Sequence, residues 1–337
     1  MSARSVAAAL DERRFEAVGL LVGRDGRWHR VPALGQLLRA GPPALGGSLE
    51  AVAAQPAQLV PLGQAALSGP QLALDVVFPL VHGPNGEDGT LQGLLELCGL
   101  PYVGSGVLGS ALGMDKIVQK DLFVRHGLPT VRYAAVERHV WRDDPGRVID
   151  AVLEQVGLPC FVKPANLGSS VGIGRAADRA ELDAALSAAA GYGRRIICEQ
   201  SVDDKREIEC AVLGNDAPQA SVPGEVLAQR AFYDYELKYR PGGATLVVPA
   251  DLPPAVSAQV RQRALQAFAV LDCAGLARVD FFVERQTQRV LLNEVNTIPG
   301  FTATSMYPLL WEKSGLDYRS LITRLLELAL ERHGSRS

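Results

Sequence analysis

Carboxylate, amide and guanidinium side chains recur along the segment "ARVDFFVERQTQRVLLNEVNTIPGF", residues 277–301. Two stretches of this segment, 278–284 and 289–296, have the composition of β-strands, and the side chains of a strand alternate between its two faces. The alternation groups the following residues, each set on one face of its strand: Arg278 and Asp280 on the first strand; Leu292, Glu294 and Asn296 on the second. A hairpin of the two strands would bring two carboxylates, an amide and an arginine together.

This set of groups is suited to magnesium and phosphoryl chemistry. Mg²⁺ prefers hard oxygen ligands and completes its shell with water and substrate phosphates. An adjacent arginine can stabilise a transferring phosphoryl group or a developing oxyanion. The alternative is a surface hairpin with solvated charges, which we favour less because Glu294 and Asn296 interrupt an otherwise apolar strand. The following "NTIPGF" predicts a tight turn whose backbone N–H groups could face a ligand.

A loop rich in glycine and serine follows Lys163 in "CFVKPANLGSSVGIGR". The backbone N–H groups of such a loop can surround a phosphate, and Lys163, at the end of an apolar strand, would add a positive charge. A simple hairpin connection is an equal alternative, because the loop is neither a P-loop nor a GxGxxG fingerprint. Lys116, in "GMDKIVQK", is near the start of a predicted helix and taken alone is better explained as a solvated lysine.

Alternating helical and strand patterns carry these residues. Residues 34–74, rich in glycine, proline and alanine, predict a loop with short helices. Strands are predicted at 75–81 (a buried parallel strand), 160–163, 195–199 and from Glu207, besides the hairpin. Helices are predicted at 90–98, from about Lys116, at 257–274, and at the C-terminus with Asp317 as its N-cap. The order of elements indicates an α/β protein.

The composition limits the class of protein. The chain has 337 residues, 47% of them hydrophobic and 21% charged, which is enough for two or three globular domains. The formal net charge of −3, without a basic block, argues against a nucleic-acid partner. Five scattered cysteines argue against a disulfide framework or a zinc site. Without a long apolar run or a signal-peptide pattern, we expect a cytoplasmic protein with no membrane partner.

In order, the motifs resemble those of ATP-grasp enzymes and, more narrowly, of D-alanine–D-alanine ligases. They are "HGPNGEDG" (82–89), "YVGSG…GMDK" (102–116), "VKPANLGSSVGIG" (162–174), "EQSVDDKREIECAVLGN" (199–215), "PGE" (223–225), "FYDYELKY" (232–239), "RVDF" (278–281) and "NEVNTIPGFTATSMYP" (293–308). The glycine loop alone is unspecific, but the ordered set is specific and spans nearly the whole chain. The resemblance implies an ATP-grasp fold of three domains: an N-terminal Rossmann-like parallel-sheet domain (1–104), a central small α+β domain (105–199) and a C-terminal α+β domain (200–337).

The resemblance also implies a nucleotide site between two sheets, with ATP and two Mg²⁺ or Mn²⁺ ions as cofactors. Nucleotide contacts fall on Lys116 and Lys163 (phosphates), Ser170, Glu199 (adenine), Val202 (hinge backbone), Glu207 (ribose) and Lys238 (γ-phosphate, from a mobile loop). The metal ligands fall on Asp280, Glu294 and Asn296, in agreement with the strand argument. Arg278 and the backbone of Gly300 match the groups that stabilise the tetrahedral intermediate in the family.

For the substrates, the resemblance implies two D-alanines that are joined through an acyl phosphate for peptidoglycan precursor synthesis. The first D-alanine site falls on His82 and Glu87, although His82 could equally be a strand-end histidine. Ser305 and Met306 match positions that hold the second substrate's carboxylate. Ser169 and Tyr239 match two members of a triad that closes the mobile loop, and a tyrosine at Tyr239 favours the dipeptide over a D-lactate ester. The family also implies a homodimer.

The N-terminal stretch reads as an amphipathic helix, a strand at Ala17–Val22 and a turn at Asp25–Gly26. In the family, a strand, a Gly-Gly turn and a glutamate that completes the triad come before such a helix. We therefore expect a chain that is shortened at its N-terminus and impaired as an enzyme. The alternatives to dipeptide ligation are a nucleotide-binding protein with impaired catalysis and a D-alanine–D-lactate ligase.

Overall fold

Two antiparallel β-sheets dominate the computed structural model, which describes residues 1–23, 28–30, 74–168, 172–228 and 244–335. The helices are α1 (Ser2–Ala9), α2 (Thr90–Leu97), α3 (Val107–Met114), α4 (Lys116–Arg125), α5 (Arg138–Asp143), α6 (Pro145–Gln155), α7 (Arg179–Ala190), α8 (Pro254–Val270), α9 (Met306–Lys313) and α10 (Tyr318–Gly334). The strands are β1 (Leu20–Val22), β2 (Trp28–Arg30), β3 (Tyr133–Glu137), β4 (Cys160–Pro164), β5 (Gly174–Ala176), β6 (Arg195–Gln200), β7 (Lys205–Gly214), β8 (Gln219–Ala220), β9 (Gly224–Ala228), β10 (Ala244–Val247), β11 (Gly275–Glu284) and β12 (Val290–Asn296).

The four-stranded sheet has the order β3-β6-β4-β5, with every neighbouring pair antiparallel. Strand β4 shows how its two faces differ, since Cys160 and Val162 are fully buried in the core under α5, α6 and α7. Phe161 and Lys163 alternate with them and are only partly buried. The sheet therefore has an apolar face against helices and a second face that carries polar and aromatic side chains.

The six-stranded sheet has the order β10-β9-β7-β11-β12, with β8 paired to β7. One face packs on α8, and its core includes Ile208, Val279 and Phe281. The opposite face has two parts. Ala211 and Leu276 belong to the apolar core that α9 and α10 cover, and the remainder of that face carries charged side chains of β7, β11 and β12. This division leaves one polar area on an otherwise buried sheet.

The first 105 residues are described in part. Helix α1 lies against α10, and strands β1 and β2 form an antiparallel pair that is consistent with the predicted turn at 25–26, although residues 24–27 lie outside the described chain. The strand predicted at Ala17–Val22 begins only at Leu20. The strand predicted at 75–81 is reduced to one parallel bridge, with Val77 N donating to Pro101 O (2.8 Å). The parallel N-terminal sheet and the domain limits stay predictions, and residues 31–73, which include nearly all of the predicted loop region, lie outside the described chain.

Most other predicted elements are confirmed with small shifts of their ends. Helix α2 ends at Leu97, α8 covers Pro254–Val270 rather than 257–274, and strand β7 begins two residues before Glu207. Asp317 caps α10, because its side chain accepts a hydrogen bond from Ser320 N (3.1 Å). All five cysteines are free, as predicted: Cys98, Cys160, Cys198, Cys210 and Cys273. No helix within the described ranges is both long and apolar enough to cross a membrane.

Candidate functional site between the two sheets

Strands β11 and β12 bring the predicted polar residues together on the charged area of the six-stranded sheet. Asp280 is directly opposite Glu294, and Arg278 is directly opposite Asn296. Asn296 Nδ2 donates to Asp280 Oδ2 (3.0 Å). A register shift after this pair sets Phe281 opposite Leu292, so one residue, Asn293, has no partner on β11. The prediction that Leu292 shares the face of Glu294 is therefore wrong, because the bulge moves Leu292 into the core.

Arg278 is held between two carboxylates. Its Nε and Nη2 donate to the two oxygens of Asp280, each at 2.7 Å, and Nε also lies 2.9 Å from Glu209 Oε2. Burial by itself would lower the pKa of Arg278, but Asp280 and Glu209 outweigh it and raise that pKa above its ordinary value. The guanidinium therefore stays charged and has a fixed direction.

The same face has more carboxylates than cations. Strand pairing puts Glu207, Glu209, Asp280 and Glu294 on it, beside Arg278. A cavity of about 90 Å³ opens there, lined by β7, β9, β11 and β12. The described residues contain no cluster of three or more His, Cys, Asp or Glu side chains arranged to hold a metal. Two carboxylates with an amide, next to surplus negative charge, nevertheless form the hard-oxygen set that Mg²⁺ or Mn²⁺ takes when phosphates and water supply the other ligands.

On the four-stranded sheet, Glu199 lies between two lysines. Glu199 is 4% exposed, with Oε2 2.5 Å from Lys163 Nζ and Oε1 2.9 Å from Lys120 Nζ. Burial would raise the pKa of Glu199, but the two ammonium groups outweigh it and lower the pKa to about 2. Burial also opposes the charge of Lys163, yet Glu199 and Glu294 raise its pKa above the ordinary value. Both oxygens of the predicted adenine acceptor are thus engaged by cations in this structure.

Lys116 joins the two sheets at the start of α4. Its Nζ donates to Leu167 O (3.1 Å), at the entrance to the glycine loop, and lies 3.4 Å from Glu294 Oε2 on β12. The backbone is fixed as well, since Lys116 N donates to Ala165 O (2.9 Å) and Asp115 caps the helix. The structure therefore brings a predicted phosphate lysine into contact with a predicted metal ligand.

The connection between the sheets carries Val202, in the short segment from β6 to β7. Just after it, the Lys205 ammonium lies 3.8 Å from the centre of the Phe282 ring and 5.7 Å from that of Phe161 on the opposite sheet. Lys205 Nζ is also 3.4 Å from Glu207 Oε1, the predicted ribose ligand. Two aromatic rings and a carboxylate thus lie near this connection, at the border of the space between the two sheets, which we call the cleft.

The predicted substrate residues form two further groups. His82 Nδ1 lies 3.7 Å from Glu87 Oε1, and Glu87 also accepts a hydrogen bond from Gly83 N. Ser305 is the N-cap of α9, and its hydroxyl accepts from Thr302 N (3.0 Å). These groups lie on the two chain segments joined by an aromatic contact between Phe78 and Phe301, whose ring centres are 5.3 Å apart.

Gly300 and Met306 flank this turn and helix start. A side chain at Gly300 would lie 3.4 Å from Ser305 Oγ, so the turn is closely packed on the helix N-cap. The Met306 side chain is buried in the core, so the group it offers to a ligand is its backbone N–H in the first turn of α9. Four predicted site residues lie outside the described residues: Ser169, Ser170, Lys238 and Tyr239.

Sequence reasoning missed three charged residues of the cleft: Lys120, Lys205 and Glu209. Lys120 is one helical turn after Lys116, so the helical period predicts that the two lysines share a face. Glu209 is two residues after Glu207, so the strand period predicts the same for these two carboxylates. Lys205 had no such signal, because its ring contacts depend on how the two sheets approach each other.

Comparisons with known proteins match nearly the whole chain. The family model described as D-ala D-ala ligase N-terminus matches residues 1–105, and the one described as D-ala D-ala ligase C-terminus matches residues 122–327. The chain is 49% identical over 331 residues to a D-alanine–D-alanine ligase of Deinococcus radiodurans, covering 98% of this chain and 93% of that protein. A D-alanine–D-alanine ligase of Geobacillus kaustophilus is 46% identical over 338 residues, covering 98% and 90%.

Solved structures give the same result. The D-alanine–D-alanine ligase of Coxiella burnetii superposes with a TM-score of 0.85 at 36% identity, covering 99% of this chain and 91% of that one. The VanG D-Ala:D-Ser ligase of Enterococcus faecalis superposes with a TM-score of 0.84 at 29% identity, covering 97% and 94%. With the ATP-grasp arrangement of two facing sheets and the matches over nearly its full length, the chain belongs to the D-alanine–D-alanine ligase family.

Proposed function

We propose that this chain joins two D-alanine molecules into D-alanyl-D-alanine at the expense of ATP, for peptidoglycan precursor synthesis. One observation carries the proposal: Lys116 Nζ at the start of α4 lies 3.4 Å from Glu294 Oε2 on β12, so the lysine predicted to bind phosphate meets a carboxylate predicted to bind a metal. The relatives named D-alanine–D-alanine ligase, at 49% and 46% identity, favour the dipeptide over the alternatives of an impaired nucleotide binder or a D-lactate ligase.

ATP is held between the two sheets. Lys116 and Lys163 bind the phosphates of ATP together with Ser170 and Lys238. The contacts of Lys116 with Glu294 and of Lys163 with Glu199 support a nucleotide whose phosphates lie near the predicted metal ligands. Glu199 and the backbone near Val202 take the adenine, and Glu207 takes the ribose. The rings of Phe161 and Phe282, which border the same cleft, provide apolar surface for the base.

Asp280, Glu294 and Asn296 would hold two Mg²⁺ or Mn²⁺ ions. Bound there, the ions would neutralise charge on the transferring phosphoryl oxygens. The pairing of Asp280 with Glu294 across β11 and β12, beside Glu207 and Glu209, supports the assignment because it concentrates carboxylate oxygens on one polar area.

The reaction has two steps. The carboxylate of the first D-alanine attacks the γ-phosphorus of ATP, which gives an acyl phosphate and ADP. The amine of the second D-alanine then attacks the acyl carbonyl, and phosphate leaves from the tetrahedral intermediate. Arg278, kept charged by Asp280 and Glu209, and the backbone N–H of Gly300 stabilise the oxyanion.

The remaining groups position the substrates and exclude water. His82 and Glu87 line the first D-alanine site, and Ser305 with the Met306 N–H binds the carboxylate of the second at the start of α9. The loop that contains Lys238 and Tyr239 closes over the site with Ser169, which protects the acyl phosphate from hydrolysis. We further propose three domains with the limits 1–104, 105–199 and 200–337, a homodimer, and action in the cytoplasm.

The proposal is tested with the purified protein, ATP and Mg²⁺, in parallel reactions with D-alanine, with D-alanine plus D-lactate, with D-alanine plus D-serine, and with L-alanine. Phosphate release and the mass of each product are measured together. We expect phosphate release that depends on D-alanine, with D-alanyl-D-alanine as the main product in every reaction that contains D-alanine. Glu154→Gln, an exposed change on α6, is the matched control and should keep full activity. A product that contains D-lactate or D-serine in place of the dipeptide, or ATP turnover without dipeptide, would contradict the proposal.

A further inference from the structure

Lys120 is a buried lysine that none of the proposed steps uses. Its side chain is 1% exposed, and its ammonium reaches three acceptors in separate parts of the chain. These are Glu199 Oε1 on β6 (2.9 Å), Thr130 Oγ1 (3.0 Å) and Asn293 O at the bulge of β12 (3.2 Å). The contacts with Thr130 and Asn293 are hydrogen bonds, and the contact with Glu199 is an ion pair. Burial lowers the pKa of Lys120, and the carboxylate of Glu199 opposes that shift. With these three partners around it, the buried ammonium is not placed to contact a substrate.

The charges around Glu199 do not cancel. Lys120 and Lys163 contribute two positive charges and Glu199 one negative charge, so the group of three has a net charge of +1. If Lys120 were neutral, the pair of Lys163 and Glu199 would have no net charge. Lys116 adds little to this balance, because its ammonium faces the carboxylate of Glu294. The attraction of Lys163 for an anion therefore depends on Lys120, which cannot touch that anion itself.

We propose that Lys120 is a positioning residue that keeps Lys163 attractive to the polyphosphate of the nucleotide, by binding one oxygen of Glu199 and neutralising part of its charge. The proposal rests on the nucleotide site proposed above. Lys120 acts at a distance on the phosphates, and because it also contacts Glu199, the residue proposed to take the adenine, the test has to compare ligands with and without phosphates. Its hydrogen bond to Asn293 O, next to Glu294, also fixes the phosphate-binding sheet against the strand that carries the carboxylates.

A purely structural role predicts something different. A residue that only ties the sheets together would, when replaced, weaken the binding of every ligand of the cleft to a similar degree. The electrostatic role predicts a loss that is confined to ligands with phosphates. The informative quantity is therefore the ratio of the dissociation constants of adenosine and ATP, measured by calorimetry with Mg²⁺ and without D-alanine.

Lys120→Met is the main variant, because it keeps the length of the side chain and removes the charge. We expect the adenosine-to-ATP ratio to fall about 10-fold, the scale of the Coulomb interaction between two unit charges roughly 10 Å apart at an effective dielectric constant of about 20, with a smaller change in adenosine binding. Thr130→Val is the matched control: it removes one acceptor of Lys120 but keeps all three charges, and its ratio should stay within about 2-fold of wild type.

Lys120→Met combined with Glu199→Gln restores a net charge of +1, carried by Lys163 alone, so the ratio should return toward wild type. Glu199→Gln alone leaves two lysines without the carboxylate, so its ratio should exceed wild type; this variant still tests the proposal if Lys120→Met does not fold. If Lys120→Met weakens the binding of ATP and of adenosine equally, or if the double variant keeps an adenosine-to-ATP ratio as low as that of Lys120→Met, the inference is overturned. The proposed nucleotide site is not affected by either result. A wild-type protein that binds ATP no better than adenosine would overturn the proposed nucleotide site and this inference with it.

Discussion

Glu199→Gln removes the carboxylate that lies between Lys120 and Lys163, and it keeps the shape of the side chain. Wild-type Glu199 has its pKa lowered from the model-peptide value of 4.5 to about 2 by the two lysines, against the effect of burial. Because the pKa is lower in the folded state, the carboxylate stabilises the fold at pH values above about 4.5. That contribution is lost as the pH falls from about 4.5 toward 2.

The size of the effect follows from this shift. The difference of about 2.5 units corresponds to roughly 3 kcal/mol at pH 7, which falls to roughly 1 kcal/mol at pH 3. The cost of removing one partner from a buried ion pair is in the same range, at about 3–5 kcal/mol. We therefore expect Glu199→Gln to lower the free energy of unfolding by about 3 kcal/mol at pH 7 and by much less at pH 3.

Urea unfolding of wild type and variant at both pH values measures this difference. Tryptophan fluorescence is a suitable signal, because Trp141 is buried in the core behind the sheet that carries Glu199. Glu154→Gln, on the exposed side of α6, is the control and should change the free energy by less than about 0.5 kcal/mol. If Glu199→Gln lowers the free energy of unfolding by less than about 1 kcal/mol at pH 7, or by the same amount at both pH values, the reasoning about Glu199 and its two lysines is refuted.

Three further changes test other parts of the molecule. Asp280→Asn should abolish dipeptide formation while circular dichroism shows an intact fold, and wild-type turnover by this variant would disprove the metal assignment. Phe301→Ala should cost about 3–5 kcal/mol in urea unfolding, because the ring is fully buried against Phe78 and two tyrosines; a loss under about 1 kcal/mol would mean that the cluster repacks. Asp317→Ala should cost about 1 kcal/mol through loss of the cap on Ser320 N, seen as a lower melting temperature, and an unchanged melting temperature would argue against that cap.

The sequence by itself determined the family and most of the elements that carry the site. The alternation of Arg278 and Asp280 with apolar neighbours on β11 is a local property, and the structure reproduces it residue by residue. The exact pairing of Asp280 with Glu294 was not predictable in this way, because the register that pairs Phe281 with Leu292 would continue to Asp280 and Asn293 without the bulge.

Only the tertiary structure decided the rest. The bulge at Asn293, which puts Leu292 in the core, depends on how β12, the last strand of the six-stranded sheet, packs against α8, and no periodicity encodes it. The group formed by Lys120, Lys163 and Glu199 joins a helix and two strands. Its two positive charges and one negative charge therefore come together only after the four-stranded sheet has formed. Likewise, Lys116 and Glu294 are 178 residues apart in the chain and meet because α4 packs against β12. Local patterns fix which face a side chain occupies, whereas the distance between charges on separate elements is set by packing.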